Sequence, residues 1–246
     1  MKILPNIPNF AKLIYELRWL EGCKKDIEAA KASGDREAER EHILKATTLW
    51  SNSLMKKFGC HIEIEGEENI PEHGPVVIMS NHQSNCDILA MLAVFQKFQI
   101  GFVAKDSLSK IPLYGEWIRR IRSVFIERDD PRASLEAINR GVEYINEGYS
   151  LVIFPEGTRS QCSTPNPFLK GPVKLATKPG VPIIPVSLDG TYKMFEETGI
   201  IKPTTFKMII HKPIETAGIS RKEEKELSAA IEKIIVDGVN KLHGED

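Results

Sequence analysis

The strongest constraint on how this chain can fold is a set of short, unbroken apolar runs, each ending in a polar cluster. Ser150-Leu151-Val152-Ile153-Phe154 shows no polar alternation beyond Ser150, as expected of a central strand buried on both faces. The segment 75–80 also reads as a strand, and 182–188 continues the pattern. Shorter strands are expected at 61–65, 100–104, 123–127 and 206–211. Helical segments fall between them at 87–95, 114–121 and 131–147, and a last helix follows Ser220. Asp130-Pro131 supplies a cap and a first-turn proline, and Ser220 with Glu223 forms a capping-box pattern. The fold class that follows is α/β, a mixed and largely buried sheet covered by helices. Pro182 and Pro185 are expected to shape a strand edge.

The first 58 residues have a different grammar. Phe10, Leu13, Ile14, Leu17 and Leu20 recur at helical spacing, and Ile43, Thr47, Trp50, Leu54 and Phe58 form a second stripe. Gly34 and Asp35 separate the two, one ending a helix and the other capping the next. Residues 1–58 therefore read as an amphipathic two-helix hairpin, followed by an α/β domain over 59–246. The formal charge of −1 conceals an asymmetry between them. The hairpin carries 11 Lys and Arg against 8 Asp and Glu, and the remainder 22 against 26. From pattern alone, the simplest fate for the hairpin's apolar face is packing on the main domain.

Composition excludes several function classes. Balanced charge argues against a nucleic-acid binder, which would show a basic excess or stripe. No run approaches the 18 or so apolar residues of a membrane span. Cys23, Cys60, Cys86 and Cys162 are scattered, with no metal-site spacing, so no metal is expected and reduced thiols are. Cys86 reads as a small filler, not a nucleophile. The N-terminal residues show no secretory pattern, which places the expected site of action on the cytoplasmic side.

Two of the polar clusters carry chemistry. Asn81-His82-Gln83-Ser84-Asn85-Cys86-Asp87 follows the 75–80 strand, at the carboxyl end where open α/β sheets place their sites. His82 can serve as a base near neutral pH, and Asp87 can turn back to fix its tautomer. Phe154-Pro155-Glu156-Gly157-Thr158-Arg159-Ser160 follows the 150–154 strand. Arg159 offers a planar fork that matches a phosphate, Thr158 and Ser160 add hydroxyl donors, and Gly157 permits positive φ or close approach.

With both clusters in place, the chain resembles the glycerolipid acyltransferase family, most closely the 1-acyl-sn-glycerol-3-phosphate acyltransferases. The family's Asn-His-x4-Asp block is matched at Asn81, His82 and Asp87, and its Phe-Pro-Glu-Gly-Thr-Arg-Ser block at 154–160. Val124-Phe125-Ile126-Glu127-Arg128 and the proline-bearing 181–186 segment match two further blocks in family order, with Glu127 where Asp is usual. The resemblance covers about half the chain. It implies acyl transfer from an acyl thioester, on coenzyme A or acyl-carrier protein, to the 2-hydroxyl of lysophosphatidic acid. His82 would act as base, Asp87 would orient it, and no covalent acyl-enzyme or cofactor is needed. Arg159 and Arg128, assisted by Lys105, would hold the acceptor's phosphate. Glu156 and Gly157 are implied acceptor-site residues, Glu156 bonding hydroxyls or aligning Arg159. The nearest rival acceptors are glycerol 3-phosphate and other lysophospholipids. A serine hydrolase is disfavoured by the lack of a Gly-x-Ser-x-Gly elbow. A non-catalytic lipid binder would not need the His82–Asp87 pair, and a metal-dependent enzyme would need a ligand motif absent here. An insoluble acceptor also moves the expectation for residues 1–58 from packing towards docking on a membrane surface, peripheral or monotopic, on the cytoplasmic face.

Overall fold

The computed structural model describes residues 3–244. The chain opens with α1 (Ile3–Leu20), a short 3-10 turn (Glu21–Cys23), α2 (Lys24–Ser33) and α3 (Arg36–Phe58). The sheet domain follows as β1 (His61–Glu65), β2 (Val77–Ser80), α4 (Asp87–Val94), β3 (Ile100–Lys105), α5 (Tyr114–Arg120), β4 (Val124–Ile126) and α6 (Pro131–Asn146). It is completed by β5 (Ser150–Ile153), α7 (Lys174–Thr177), β6 (Ile183–Asp189), β7 (Thr205–Ile210) and α8 (Arg221–His243). The helix boundaries have local causes. Gly34 is left-handed at φ 77°, and Asp35 accepts from the Ala38 amide. Asp130 caps α6 ahead of Pro131, and Ser220 and Glu223 form the reciprocal box that starts α8.

The seven strands are ordered β1-β7-β6-β2-β5-β3-β4. Neighbours run parallel except β6 and β7. The five strands from β6 to β4 therefore end on the same side. This brings the polar clusters after β2 and β5 next to each other, since Met79 pairs with Ile153. Residues alternate between two cores, as the period of two requires. Ile78, Val152, Ile184 and Val186 face α3 and α4, while Val77, Met79, Leu151 and Ile183 face α6 and α8.

Three sequence expectations need correction. The first arm of the hairpin is two helices in tandem, broken at Glu21–Cys23, not one. Ile14 is exposed while Leu13 and Leu17 pack on the core, because successive residues lie about 100° apart around a helix. Pro185 sits inside β6, which has strands on both sides, not at an edge. It is tolerated because the β6–β7 pairing begins only at Val186.

Candidate active site

The Asn81–Asp87 turn is held from every side. The Asn81 amide donates to the Leu188 carbonyl and accepts from the Leu188 N–H, both at 2.8 Å, as a surrogate strand rung onto β6. The His82 N–H donates to Glu156 Oε1 at 2.6 Å, and the Ser160 N–H donates to the His82 carbonyl at 2.8 Å. The two clusters read separately in the sequence are thus one hydrogen-bonded unit. The His82 ring also stacks on Phe154, with centroids 4.1 Å apart and planes within 13°.

Asp87, fully buried at the first position of α4, accepts from every group around it. His82 Nδ1 lies 2.7 Å from its Oδ2, which also receives the Gln83 and Ser84 N–H groups at 2.7 and 3.0 Å. Thr191 Oγ1 donates to its Oδ1. An acceptor surrounded by donors assigns the imidazole proton to Nδ1 and leaves Nε2 with a lone pair. His82 is 9% exposed. It opens on a cavity of about 370 Å³ lined also by Lys105, Arg128, Thr158 and Arg159. An adjoining apolar groove of about 340 Å³ shares Asn85, Ile88 and Leu108 with it and runs beneath Phe10, Leu13 and Leu17 of α1.

The cavity's cations come from the carboxyl ends of adjacent strands: Lys105 ends β3, Arg128 follows β4 and Arg159 follows β5. Burial, and then the neighbouring Arg159 charge, push the Arg128 guanidinium below its ordinary pKa. Two cations that disfavour each other in this way make a place where a bound anion is stabilised. Arg128 Nη1 donates to the Gly157 carbonyl. Gly157 adopts φ 72°, a left-handed conformation that favours glycine.

Glu156 departs from its expected role. Both its oxygens accept backbone N–H groups, from His82 and, at 2.7 Å, from Asn166, and it neither contacts Arg159 nor lines the cavity. Burial raises its pKa, and the two amide bonds oppose that rise. Ser160 likewise serves the His82 backbone and does not line the cavity. Burial, chiefly, pushes the Cys86 thiol up to about 12. A Ser–His pair elsewhere, Ser187 with His211 Nε2 at 2.8 Å, is a packing contact. Ser187 is fully buried, donates to the Ile235 carbonyl and abuts Gly238 of α8.

Three contributors escaped the sequence reading: Asp189, Thr191 and Glu196. Asp189 receives Gln83 Nε2 at 3.0 Å, and Glu196 receives Arg159 Nη1 at 2.9 Å. For Asp189 and Thr191 the signal was present. Asp189-Gly190-Thr191 is a third polar cluster after an apolar run, the same pattern that singled out the first two.

Comparison with known proteins places the chain in a family. Residues 61–189 match the family described as Acyltransferase. A chloroplastic 1-acyl-sn-glycerol-3-phosphate acyltransferase of Brassica napus is 37% identical over 73% of this chain and 52% of its own length. A 1-acyl-sn-glycerol-3-phosphate acyltransferase of Borreliella burgdorferi is 33% identical over 72% of this chain and 71% of its own. The chain spans about half the length of the plant relatives of Brassica napus and Arabidopsis thaliana. The crystal structure of the 1-acyl-sn-glycerophosphate acyltransferase of Thermotoga maritima superposes with a TM-score of 0.80 at 29% identity, covering 96% of this chain and 92% of that one. The family match over more than half of the chain, together with the similar relatives and solved structure, shows that the chain belongs to the acyltransferase family and groups with its 1-acyl-sn-glycerol-3-phosphate acyltransferase members.

Proposed function

We propose that this protein transfers a fatty acyl group from an acyl thioester to the 2-hydroxyl of 1-acyl-sn-glycerol 3-phosphate, forming phosphatidic acid. The observation that carries the reading is the His82–Asp87 pair opening onto a cavity ringed by Lys105, Arg128 and Arg159. The names of the relatives supply the acceptor. The apolar groove beside the cavity suits a lipid chain better than it suits bare glycerol 3-phosphate.

In this mechanism the acceptor's phosphate sits against Arg159 and Arg128, and its free hydroxyl faces His82 Nε2. The hydroxyl oxygen attacks the thioester carbonyl carbon as its proton passes to Nε2. Asp87 holds the resulting imidazolium by its Nδ1–H. The carbon–sulfur bond then breaks, and the departing thiolate, of coenzyme A or acyl-carrier protein, takes the proton back. No covalent acyl-enzyme or cofactor is required. The site of action in this proposal is the cytoplasmic face of the cell membrane. The exposed apolar side chains of α1, Leu4, Ile7, Ile14 and Trp19, with Lys12 and Arg18 close by in sequence, lie in the interface there. No helix among the described residues is long and apolar enough to cross a membrane.

The test is steady-state acylation of lysophosphatidic acid by acyl-CoA and acyl-carrier-protein donors, comparing wild type with His82→Ala. Loss of a positioned base should lower kcat about 10²–10⁴-fold while circular dichroism stays unchanged. A folded variant retaining more than about a tenth of wild-type turnover would remove His82 from the base role.

A further inference from the structure

Arg159 does not stand free in the cavity. Its Nη1 donates to Glu196 Oε1 at 2.9 Å, and the Glu196 side chain is only 4% exposed. The same carboxylate receives the Asn85 N–H at 3.1 Å and the Ser84 hydroxyl at 2.6 Å. One buried acid therefore joins the cation to the turn that carries His82, from a segment more than a hundred residues further along the chain.

That segment is itself anchored. Thr191 is fully buried against Asp87, Met194 is buried in the core beside Cys60, and the Gly199 N–H donates to the Phe195 carbonyl. Glu196 is thus presented from a fixed frame. A guanidinium has five N–H donors, and Glu196 engages only Nη1. Nε and Nη2 keep a donor edge for a phosphate. The pairing gives up net charge but fixes direction, which a long side chain one-third exposed would otherwise lack.

We infer that Glu196 is a positioning residue that sets the distance between the acceptor's phosphate and its reacting hydroxyl by tying Arg159 to the His82 turn. The inference rests on the assignment of Arg159 to the phosphate. A phosphate held in the right register delivers the 2-hydroxyl to Nε2, whereas a loose one binds in many poses.

A double-mutant cycle on the intact protein tests it, with acceptor and donor KM and kcat measured for E196A, R159A and both together. E196A should raise the acceptor KM about tenfold and leave the donor KM unchanged. In the R159A background, E196A should add less than about twofold, because its effect passes through the arginine. Full multiplication of the two effects overturns the inference by reducing Glu196 to a structural role. An R159A enzyme with raised acceptor KM beside an unaffected E196A enzyme also overturns it, and leaves the phosphate assignment standing. An R159A enzyme with unchanged acceptor KM removes Arg159 from the phosphate site, and the inference falls with it. If E196A folds poorly, E196Q keeps the shape and drops the charge. It should show the same coupling to R159A in smaller degree, and a lack of coupling counts against the inference.

Discussion

α1 and α3 look alike as sequence, each with a stripe of apolar residues at helical spacing, yet the fold uses them oppositely. In α3, Ile43 is 0% exposed, and Leu54 and Phe58 are buried in the same core as the sheet residues Ile78 and Val152. In α1, Leu4 is 81% and Ile7 52% exposed, while Leu13 and Leu17 only partly pack on that core. The apolar face of α3 is a wall of the catalytic domain. α1 buries only Leu20 of its stripe fully, and Leu4, Ile7 and Ile14 stay exposed. The lesson is that amphipathicity states how much apolar surface a helix must hide and says nothing about what hides it.

The largest effect that could break this contrast is at Glu39 of α3. Its carboxylate accepts Arg122 Nε at 2.8 Å and Nη2 at 2.6 Å, and the Tyr149 hydroxyl at 2.7 Å. This bidentate pair fastens α3 to the turn before β4 and to the residue before β5. Both partners are largely buried, so Glu39→Ala leaves an uncompensated guanidinium and should cost about 3–5 kcal/mol in chemical denaturation. A loss below about 1 kcal/mol would mean that α3 is attached loosely and that residues 1–58 form a separable unit after all.

A smaller effect comes from packing alone. Ile43→Ala removes a fully buried side chain and should cost about 2–5 kcal/mol. Ile14→Ala on α1, 53% exposed, should stay within about 0.5 kcal/mol. Equal losses from the two would show that the α1 face is covered in solution.

How much of this was legible in advance differs between fold and site. The strands and most helix starts could be read from local physics: apolar runs for β2 and β5, Asp35, Asp130 and Ser220 as caps. The hydrogen-bonded His82–Asp87 pair was legible because the two lie on one turn. The break at Glu21–Cys23 was not, since those residues continue a helical pattern and depart from it only in the turn they form. The resemblance implied that Glu156 bonds acceptor hydroxyls or aligns Arg159, whereas the chain turns it back onto the His82 amide. Glu196 was invisible for the opposite reason. Its partners Ser84, Asn85 and Arg159 lie 112, 111 and 37 residues away, and only the shared carboxyl ends of the parallel strands bring them together. Side chains that act within one turn are readable from spacing. Those that act across strands need the sheet order.

The smallest effect on stability should accompany the clearest effect on location. Leu4, Ile7 and Ile14 of α1 are more than half exposed, so changing all three to Ser removes no core contact. The unfolding midpoint should move by no more than a few degrees. Binding to vesicles containing anionic lipid is another matter. Interfacial binding scales with buried apolar area, and each CH2 transferred from water contributes about 0.8 kcal/mol, so a triple Ser variant should bind at least tenfold more weakly. Raising the salt should weaken wild type further, because Lys12 and Arg18 on the same helix add an attraction that ions screen. Activity on lysophosphatidic acid presented in vesicles should fall with binding, while activity on dispersed monomeric acceptor stays near wild type, since none of the three lines the catalytic cavity. If vesicle binding is unchanged, the exposed face of α1 is not the docking surface. The asymmetry between α1 and α3 would then be a feature of packing and not of function.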